Sequence, residues 1–318
     1  MKIIYSPIHK KHSPKWEIIN GKNVSYAEVP ERIEQIVKEL QKNGMSSCIK
    51  APKRFSERYI KSVHNQHYID YIKKGSQKEA KKKGNDGYFT TFFINDLCAP
   101  LTPFTYDAAR ESVNCSLTGA RLLKEEPVIY VLCRPPGHHA EANRMGGYCY
   151  FNNAAIAAEY LSQNGKVAIL DIDFHHGNGT QQIFYERPDV LYVSLHVDPR
   201  VGFPYTAGFA NEKGANDGKG FNKNFPLPLG TTEADYEKIL TKACNLIEEY
   251  KPSSLVVSCG FDTYEKDPIG GFKLSIPFYE KMAKAIKGLD LPTLVVQEGG
   301  YNITDLGKIA YSFVKGLN

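Results

Sequence analysis

Asp171, Asp173 and His175 alternate with Ile172 and Phe174 directly after the apolar run Val167-Ala168-Ile169-Leu170. A short β-branched run reads as a buried strand, and successive strand side chains point to opposite faces. The spacing therefore projects two carboxylates and an imidazole from one side of the strand's C-terminal end. Buried and unpaired, each carboxylate would cost on the order of several kcal/mol. A divalent cation removes that cost, and zinc takes such donors with one position left open for water or substrate. Asp173 and His175 supply two of its three protein ligands. Asp262, in Gly260-Phe261-Asp262 after the run Leu255-Val256-Val257, is the best third. Alone it would read as a turn or helix-capping aspartate. Fe(II) accepts the same donors as Zn(II).

His138 and His139 stand side by side after Pro135-Pro136-Gly137, a stretch that cannot be helical. Tandem histidines suit a core poorly, since every buried imidazole needs partners for two nitrogens. They suit hydrolysis well: one takes a proton from water and the other gives one to a leaving amine. Each needs an orienting group on its far nitrogen, and the sequence offers Asp171 for one and Asn178 for the other. Tyr301, after Gly299-Gly300, brings a phenolic donor suited to an oxyanion.

The elements that must position these residues alternate between short apolar strands and amphipathic helices. Strands are predicted at 2–5, 128–133, 166–172, 190–196, 254–259 and 293–297. Helices are predicted at 30–43, 104–123, 151–164, 233–250, 276–288 and 303–316. Such alternation makes one α/β domain around a mainly parallel sheet. The chemically distinctive clusters follow strands, and in a parallel sheet the strand ends share one rim where ligands bind. The stretch 199–230, rich in Gly, Pro and Asn, reads as a long loop over the sheet edge.

The chain has 318 residues, 42% hydrophobic and 24% charged, which is ordinary for a globular domain with a sizeable core. No apolar run reaches membrane-spanning length, and Met1-Lys2-Ile3-Ile4-Tyr5 reads as a first strand rather than a signal peptide. Seven cysteines, an odd number without a CxxC pair, fit reduced thiols in a cytoplasmic protein. The net charge of +5 is concentrated partly in Lys73, Lys74, Lys78, Lys81, Lys82 and Lys83. Without aromatic interleaving that segment reads as solvated, so neither nucleic acid nor a membrane is an expected partner.

Four motifs together resemble the zinc-dependent histone deacetylase superfamily in order and spacing. They are Arg-Pro-Pro-Gly-His-His from 134, Asp-Ile-Asp-Phe-His-His-Gly-Asn-Gly-Thr-Gln from 171, Gly-Phe-Asp from 260 and Glu-Gly-Gly-Tyr-Asn from 298. The resemblance runs over the whole of 1–318. It implies the arginase–deacetylase fold, a single α/β domain with a mainly parallel eight-stranded sheet flanked by helices. It implies Asp173, His175 and Asp262 as zinc ligands, His138, His139 and Tyr301 as catalytic residues, and Asp171 as the partner of the first histidine. Structural potassium is implied too. One ion would take Asp171, Ser194 and backbone oxygens of Asp173, His175 and Leu195; a second would take carbonyls of Phe184, Arg187 and Val190. Gly147, Tyr148 and Phe203 fall along the substrate tunnel, and Arg32 near an internal acetate channel.

Tyr26-Ala27-Glu28-Val29-Pro30-Glu31-Arg32 and stretches of 87–105 resemble the acetylpolyamine amidohydrolase branch of that superfamily. There an insertion, here about 75–105, mediates a homodimer and narrows the entrance. A narrow entrance excludes a folded protein and admits a slim amine. The implied reaction removes acetyl from N-acetylated polyamines of the acetylputrescine, acetylcadaverine and acetylspermidine class, releasing acetate and a free amine. Acetyl-lysine in proteins or peptides is the alternative substrate. A binuclear-manganese ureohydrolase shares the fold but needs ligands in an Asp-x-His-x-Asp arrangement that the sequence lacks.

Two positions depart from related patterns. Ile269 stands where polyamine-specific animal relatives carry a glutamate, which leaves Asp86, Asp96, Glu141 and Glu265 as acidic residues for a distal ammonium. Asn178 stands where class I enzymes carry an aspartate, as in class II enzymes. A neutral amide stabilises an imidazolium less than a carboxylate does, so His139 is expected to hold a proton less tightly than His138.

Overall fold

The structure, a computed structural model, describes residues 1–80 and 86–318. Lys81, Lys82 and Lys83 of the basic segment lie outside the described residues, as does part of the expected 75–105 insertion. The chain opens with β1 (Lys2–Ile4), the hairpin β2 (Trp16–Ile19) and β3 (Lys22–Ser25), α1 (Glu31–Lys42) and β4 (Ile49–Lys50). Then come α2 (Arg58–Lys61), α3 (Gln66–Lys74), α4 (Thr105–Leu122), β5 (Val128–Val131), α5 (Asn153–Ser162) and β6 (Val167–Asp171). The C-terminal half runs α6 (Asn178–Phe184), β7 (Val190–Val197), β8 (Asn222–Leu227), α7 (Glu233–Tyr250), β9 (Ser254–Cys259), α8 (Ile276–Lys287), β10 (Thr293–Gln297) and α9 (Ile303–Leu317).

Eight strands form one sheet in the order β4-β1-β5-β10-β9-β6-β7-β8, and every adjacent pair is parallel. Both faces are covered, as a parallel sheet requires. Alternate residues go to opposite layers. Ala168, Leu170, Leu255, Val257 and Val295 pack with α1, α7, α8 and α9, whereas Val167, Ile169, Val256, Leu294 and Val296 pack against α4 and α5. Burial of these strands is therefore two-sided, which is why they read as continuous apolar runs. The helices start at side-chain caps: Thr232 and Asn302 accept from Asp235 N and Asp305 N at the starts of α7 and α9.

The long loop expected over 199–230 is shorter than that. Its last part is β8, parallel to β7 with Tyr192 opposite Asn222. As an edge strand it keeps polar residues and tolerates Pro226, which masks it in a hydrophobicity pattern. The β2–β3 hairpin, also unread in the sequence, turns on Asn20 and Gly21 at φ of 51° and 74°. Two successive positive φ values define the turn that matches strand twist, and Asn-Gly is its preferred sequence. Among the described residues no helix is long and apolar enough to cross a membrane. All seven cysteines are free.

Beneath the Pro135-to-Ala140 turn lies a fully buried imidazole. His64 Nε2 accepts from Asn152 N at 2.9 Å, and its Nδ1 is 2.9 Å from the carbonyl oxygen of Glu141. Asn152 in turn donates to the carbonyl of Ala140 and to Thr180. The ring is therefore the neutral Nδ1–H form, and burial lowers its pKa from 6.5 to about 4. The unfolded chain takes up that proton first, so this contribution to stability is complete above pH 6.5 and is lost as pH falls through 4. The loss is about 3 kcal/mol at most. The urea midpoint should fall between pH 7 and 4.5, with the His64 ring still neutral by NMR at pH 5.5. A His64 ring that charges in the native state at pH 6 would contradict this.

Candidate active site

Strand β6 ends at Asp171, so Asp173 and His175 sit in the turn beyond it. Each carboxylate there folds the chain onto itself: Asp171 Oδ1 accepts from Asp173 N at 3.2 Å, and Asp173 Oδ1 from His175 N at 2.9 Å. An aspartate bonding the backbone two residues on is the usual Asx turn. Asp262 arrives from the loop after β9, and its Oδ1 accepts from Phe174 N at 2.9 Å. Its Oδ2 lies 3.0 Å from His175 Nδ1, and Asp173 Oδ1 lies 3.4 Å from the same nitrogen. One ligand atom from each of the three residues falls within 4.8 Å of the others. Gly299 makes the enclosure possible, since a Cβ there would stand 2.4 Å from Asp262 Oδ2 and 2.6 Å from Asp173 Oδ2.

The charges of this cluster conflict without a cation. Burial, then the charge of Asp173, pushes Asp262 up to about 7. Against its own burial, Asp173 is held well below the usual range by His138 and His175. Two fully buried carboxylates that repel each other, with an imidazole nitrogen between them, fit a divalent ion that neutralises both.

The tandem histidines come from the loop after β5. Their rings are 4.0 Å apart, and both are buried. His138 Nδ1 lies 3.1 Å from Asp171 Oδ2, which also accepts from the Tyr192 hydroxyl at 3.0 Å. His139 Nδ1 lies 2.8 Å from Asn178 Oδ1. Both expected orienting pairs are thus in hydrogen-bond contact. The two rings titrate in opposite directions. Burial works against the charge on His138, but Asp173 and Asp171 outweigh it and raise its pKa to about 10. Burial, then His138 and His175, drives His139 well below 6.5. The lowering of His139 comes from burial and the neighbouring imidazoles, while its bond to Asn178 works the other way.

Tyr301 closes the other side. Its backbone N–H donates to Asp267 Oδ2 at 2.6 Å, the Arg32 guanidinium lies 4.6 Å from its ring centre, and the Tyr148 ring is 5.6 Å away. Arg32 is itself pinned to the carbonyls of Gly300 and Glu298 and to Glu28. A cleft of about 470 Å³ reaches this centre. His139, His175 and Tyr301 line it with Gly147, Tyr148, Phe203 and Ile269, and Ile18, Ile19 and Asn20 of the hairpin line it as well. Gly147 passes so close to His139 that a Cβ would stand 2.3 Å from Cδ2.

The residues expected to hold potassium lie on β6 and the turn beyond it, β7 and the α6–β7 connection. Asp171 and Ser194 are in register on β6 and β7, and Ser194 Oγ is 2.7 Å from His196 Nδ1. Leu195 follows on β7, while Phe184, Arg187 and Val190 run from the end of α6 to the start of β7, with the Phe184 carbonyl accepting from Arg187 N. Of the four acidic residues proposed for an ammonium, Asp96 alone lines the cleft among the described residues. Both its oxygens accept backbone N–H groups, from Cys98 and Gly147. Asp86 pairs with Lys15, Glu141 bonds Asn178 and Asn95, and Glu265 is exposed outside the cleft.

Three acidic residues at the site escaped the sequence reading as supports. Glu298 Oε2 accepts from the backbone N–H groups of Gly137 and His138, tying β10 to the tandem-histidine turn. Asp267 accepts from Tyr301, Asn302, Ile269 and Gly270. Glu17, buried in β2, accepts from Ala27 N at 3.0 Å. Ile269 and Gly270 apart, their partners lie ten or more residues away, and only Asp267, before Pro268, carried a turn signal.

The profile of the histone deacetylase domain matches residues 26–317. Acetylpolyamine amidohydrolase 2 of Pseudomonas aeruginosa is 38% identical, covering 100% of this chain and 98% of the relative. The acetylpolyamine amidohydrolase of Mycoplana ramosa is 37% identical, covering 100% and 99%. The crystal structure of acetylpolyamine aminohydrolase from Burkholderia pseudomallei superposes with a TM-score of 0.94 at 36% identity, over 100% of this chain and 98% of that one.

Proposed function

The chain belongs to the histone deacetylase domain family and is a deacetylase hydrolase, and from that premise we propose that it removes acetyl from N-acetylated polyamines with a zinc ion held by Asp173, His175 and Asp262. The observation that carries the substrate is the cleft. Its volume of about 470 Å³ has room for an alkyl chain, and Tyr148, Phe203 and Ile269 line it together with His139, His175 and Tyr301. Aromatic faces accept a methylene chain and tolerate a cationic amine, and the Asp96 carboxylate adds negative charge to the wall. The full-length relatives named as acetylpolyamine amidohydrolases support the same substrate class.

When bound, zinc supplies a Lewis acid that polarises the amide carbonyl and makes water a stronger acid. His139, neutral and paired to Asn178, is the proton acceptor for that water. His138, charged beside Asp171, offers positive charge and a proton to the departing amine. Asp173, whose charge raises His138 most strongly, would lend it less negative charge with a cation bound. Tyr301, protonated because burial raises its phenol well above 10, donates to the carbonyl oxygen as charge develops there.

Asp171 and Ser194, with the backbone oxygens of Asp173, His175 and Leu195, would hold a potassium ion, and the Phe184, Arg187 and Val190 carbonyls a second. Neutralising Asp171 from behind would brace the pair it makes with His138. A homodimer through the 75–105 segment belongs to the same reading. Phe92 there is 67% exposed and Trp16 on the hairpin 46%, apolar side chains that a dimer interface could cover. A monomer in sedimentation would remove that part.

The substrate is tested by kcat/KM on N-acetylputrescine, N-acetylcadaverine, N8-acetylspermidine and an acetyl-lysine peptide. At least one polyamine should exceed the peptide by roughly tenfold or more, about 1.4 kcal/mol of transition-state preference. A peptide ahead of all three would overturn the polyamine reading in favour of acetyl-lysine.

A further inference from the structure

A neutral amide beside His139 raises a problem that a carboxylate would not: Asn178 can present either its oxygen or its NH2 group to the ring. Turned one way it accepts from His139 Nδ1–H and leaves Nε2 with a lone pair. Turned the other way it donates to Nδ1 and places the proton on Nε2. Only the first leaves Nε2 able to take a proton.

The structure holds the group that decides. Glu141 Oε1 accepts from Asn178 Nδ2 at 3.0 Å, and the His139 carbonyl, at 3.5 Å, is the weaker second acceptor. An ionised carboxylate only accepts, so it fixes the NH2 group toward itself and the oxygen toward His139. The same Oε1 accepts from Asn95 Nδ2 at 2.9 Å, and the Glu141 carbonyl is the partner of His64 Nδ1 at 2.9 Å. Side chain and backbone of Glu141 are thus both anchored. Glu141 and Asn178 border a second cavity of about 710 Å³, also lined by Gln181, Gln182, Glu186 and Glu212, whereas His139 lines the substrate cleft. Water there would compete for the amide if the carboxylate were absent.

We propose that Glu141 is a positioning residue that acts through Asn178 to hold His139 in its Nδ1–H tautomer, with Nε2 as the proton acceptor. The inference rests on the reading of His139 given above, and it assigns Glu141 to the rear of the site rather than to substrate ammonium.

The test uses zinc-loaded full-length protein labelled with [15N]histidine, with His139 identified by comparison with His139→Asn. Wild type should show a protonated Nδ1 and a bare Nε2. Glu141→Ala should show mixed tautomers and a kcat lower by roughly tenfold, with KM nearly unchanged. In an N178D background, where the carboxylate accepts from Nδ1–H unaided, the same E141A change should cost less than about twofold. If E141A fails to fold, E141Q serves: its amide can meet Asn178 with either group, so mixed tautomers are again expected. An unchanged tautomer in the folded variant, or an equal loss of kcat in both backgrounds, would overturn the proposal. Wild type inactive on every acetylated amine would count against the proposed function alone, because the tautomer is read without turnover.

Discussion

Asp262→Asn should lower bound metal from about one ion per chain to under a tenth, and kcat/KM by roughly a thousandfold or more. The substitution keeps the shape and the acceptor for Phe174 N, 2.9 Å from Oδ1. It removes one of the two negative charges that face His175 Nδ1. A neutral amide oxygen is a poor zinc ligand, and the several kcal/mol that a Lewis acid supplies to transition-state charge goes with it, which sets the scale. The fold should persist. Burial and Asp173 raise the Asp262 pKa to about 7, so in metal-free protein the ionised carboxylate is a burden on the native state. The unfolded chain releases that proton at a lower pH, so the burden grows as pH rises from near 4 through 7. Metal-free D262N should therefore melt no lower than metal-free wild type at pH 8. Retained metal and activity, measured by elemental analysis and acetate release, would remove Asp262 from the ligand set.

Tyr301→Phe should lower kcat by roughly a hundredfold to a thousandfold with little change in KM, the scale of a lost oxyanion donor. The ring is fixed independently of its hydroxyl: Asp267 holds the backbone at 2.6 Å, and Arg32 and Tyr148 hold the ring. Phenylalanine should keep that placement, so the loss reports the hydroxyl alone. A change confined to KM would mean that Tyr301 binds the substrate without serving its transition state.

The chemistry was more legible than its supports. Asp171, Asp173 and His175 announce themselves because acidic residues directly after Val167-Ala168-Ile169-Leu170 have no place in a parallel sheet buried on both faces. The central strands were legible for the same reason: β9 and β10 are built on the apolar runs Leu255–Val257 and Leu294–Val296 and begin and end at the predicted 254–259 and 293–297. Strand β8 was not, because at the sheet edge Asn222, Lys223 and Asn224 need satisfy only one neighbour and read as loop. The 16–25 hairpin carried its Asn-Gly signal, but its strands are largely exposed and lack the alternation that would have marked them. Glu298, Asp267 and Glu141 were invisible as supports for a different reason. What they do depends on backbone and amide groups 34 to 161 residues away, as between Asp267 and Tyr301 or Glu298 and Gly137. Such pairings follow from topology, which a local pattern does not contain.

The central claim is that Asp173, His175 and Asp262 hold one divalent ion on which deacetylation depends. Metal-stripped protein titrated with zinc, with acetate release from N-acetylputrescine followed at each addition, tests it most directly. Activity should be near zero at the start and rise to a plateau at one equivalent. Full turnover by stripped protein, or a plateau only at two equivalents, would contradict it.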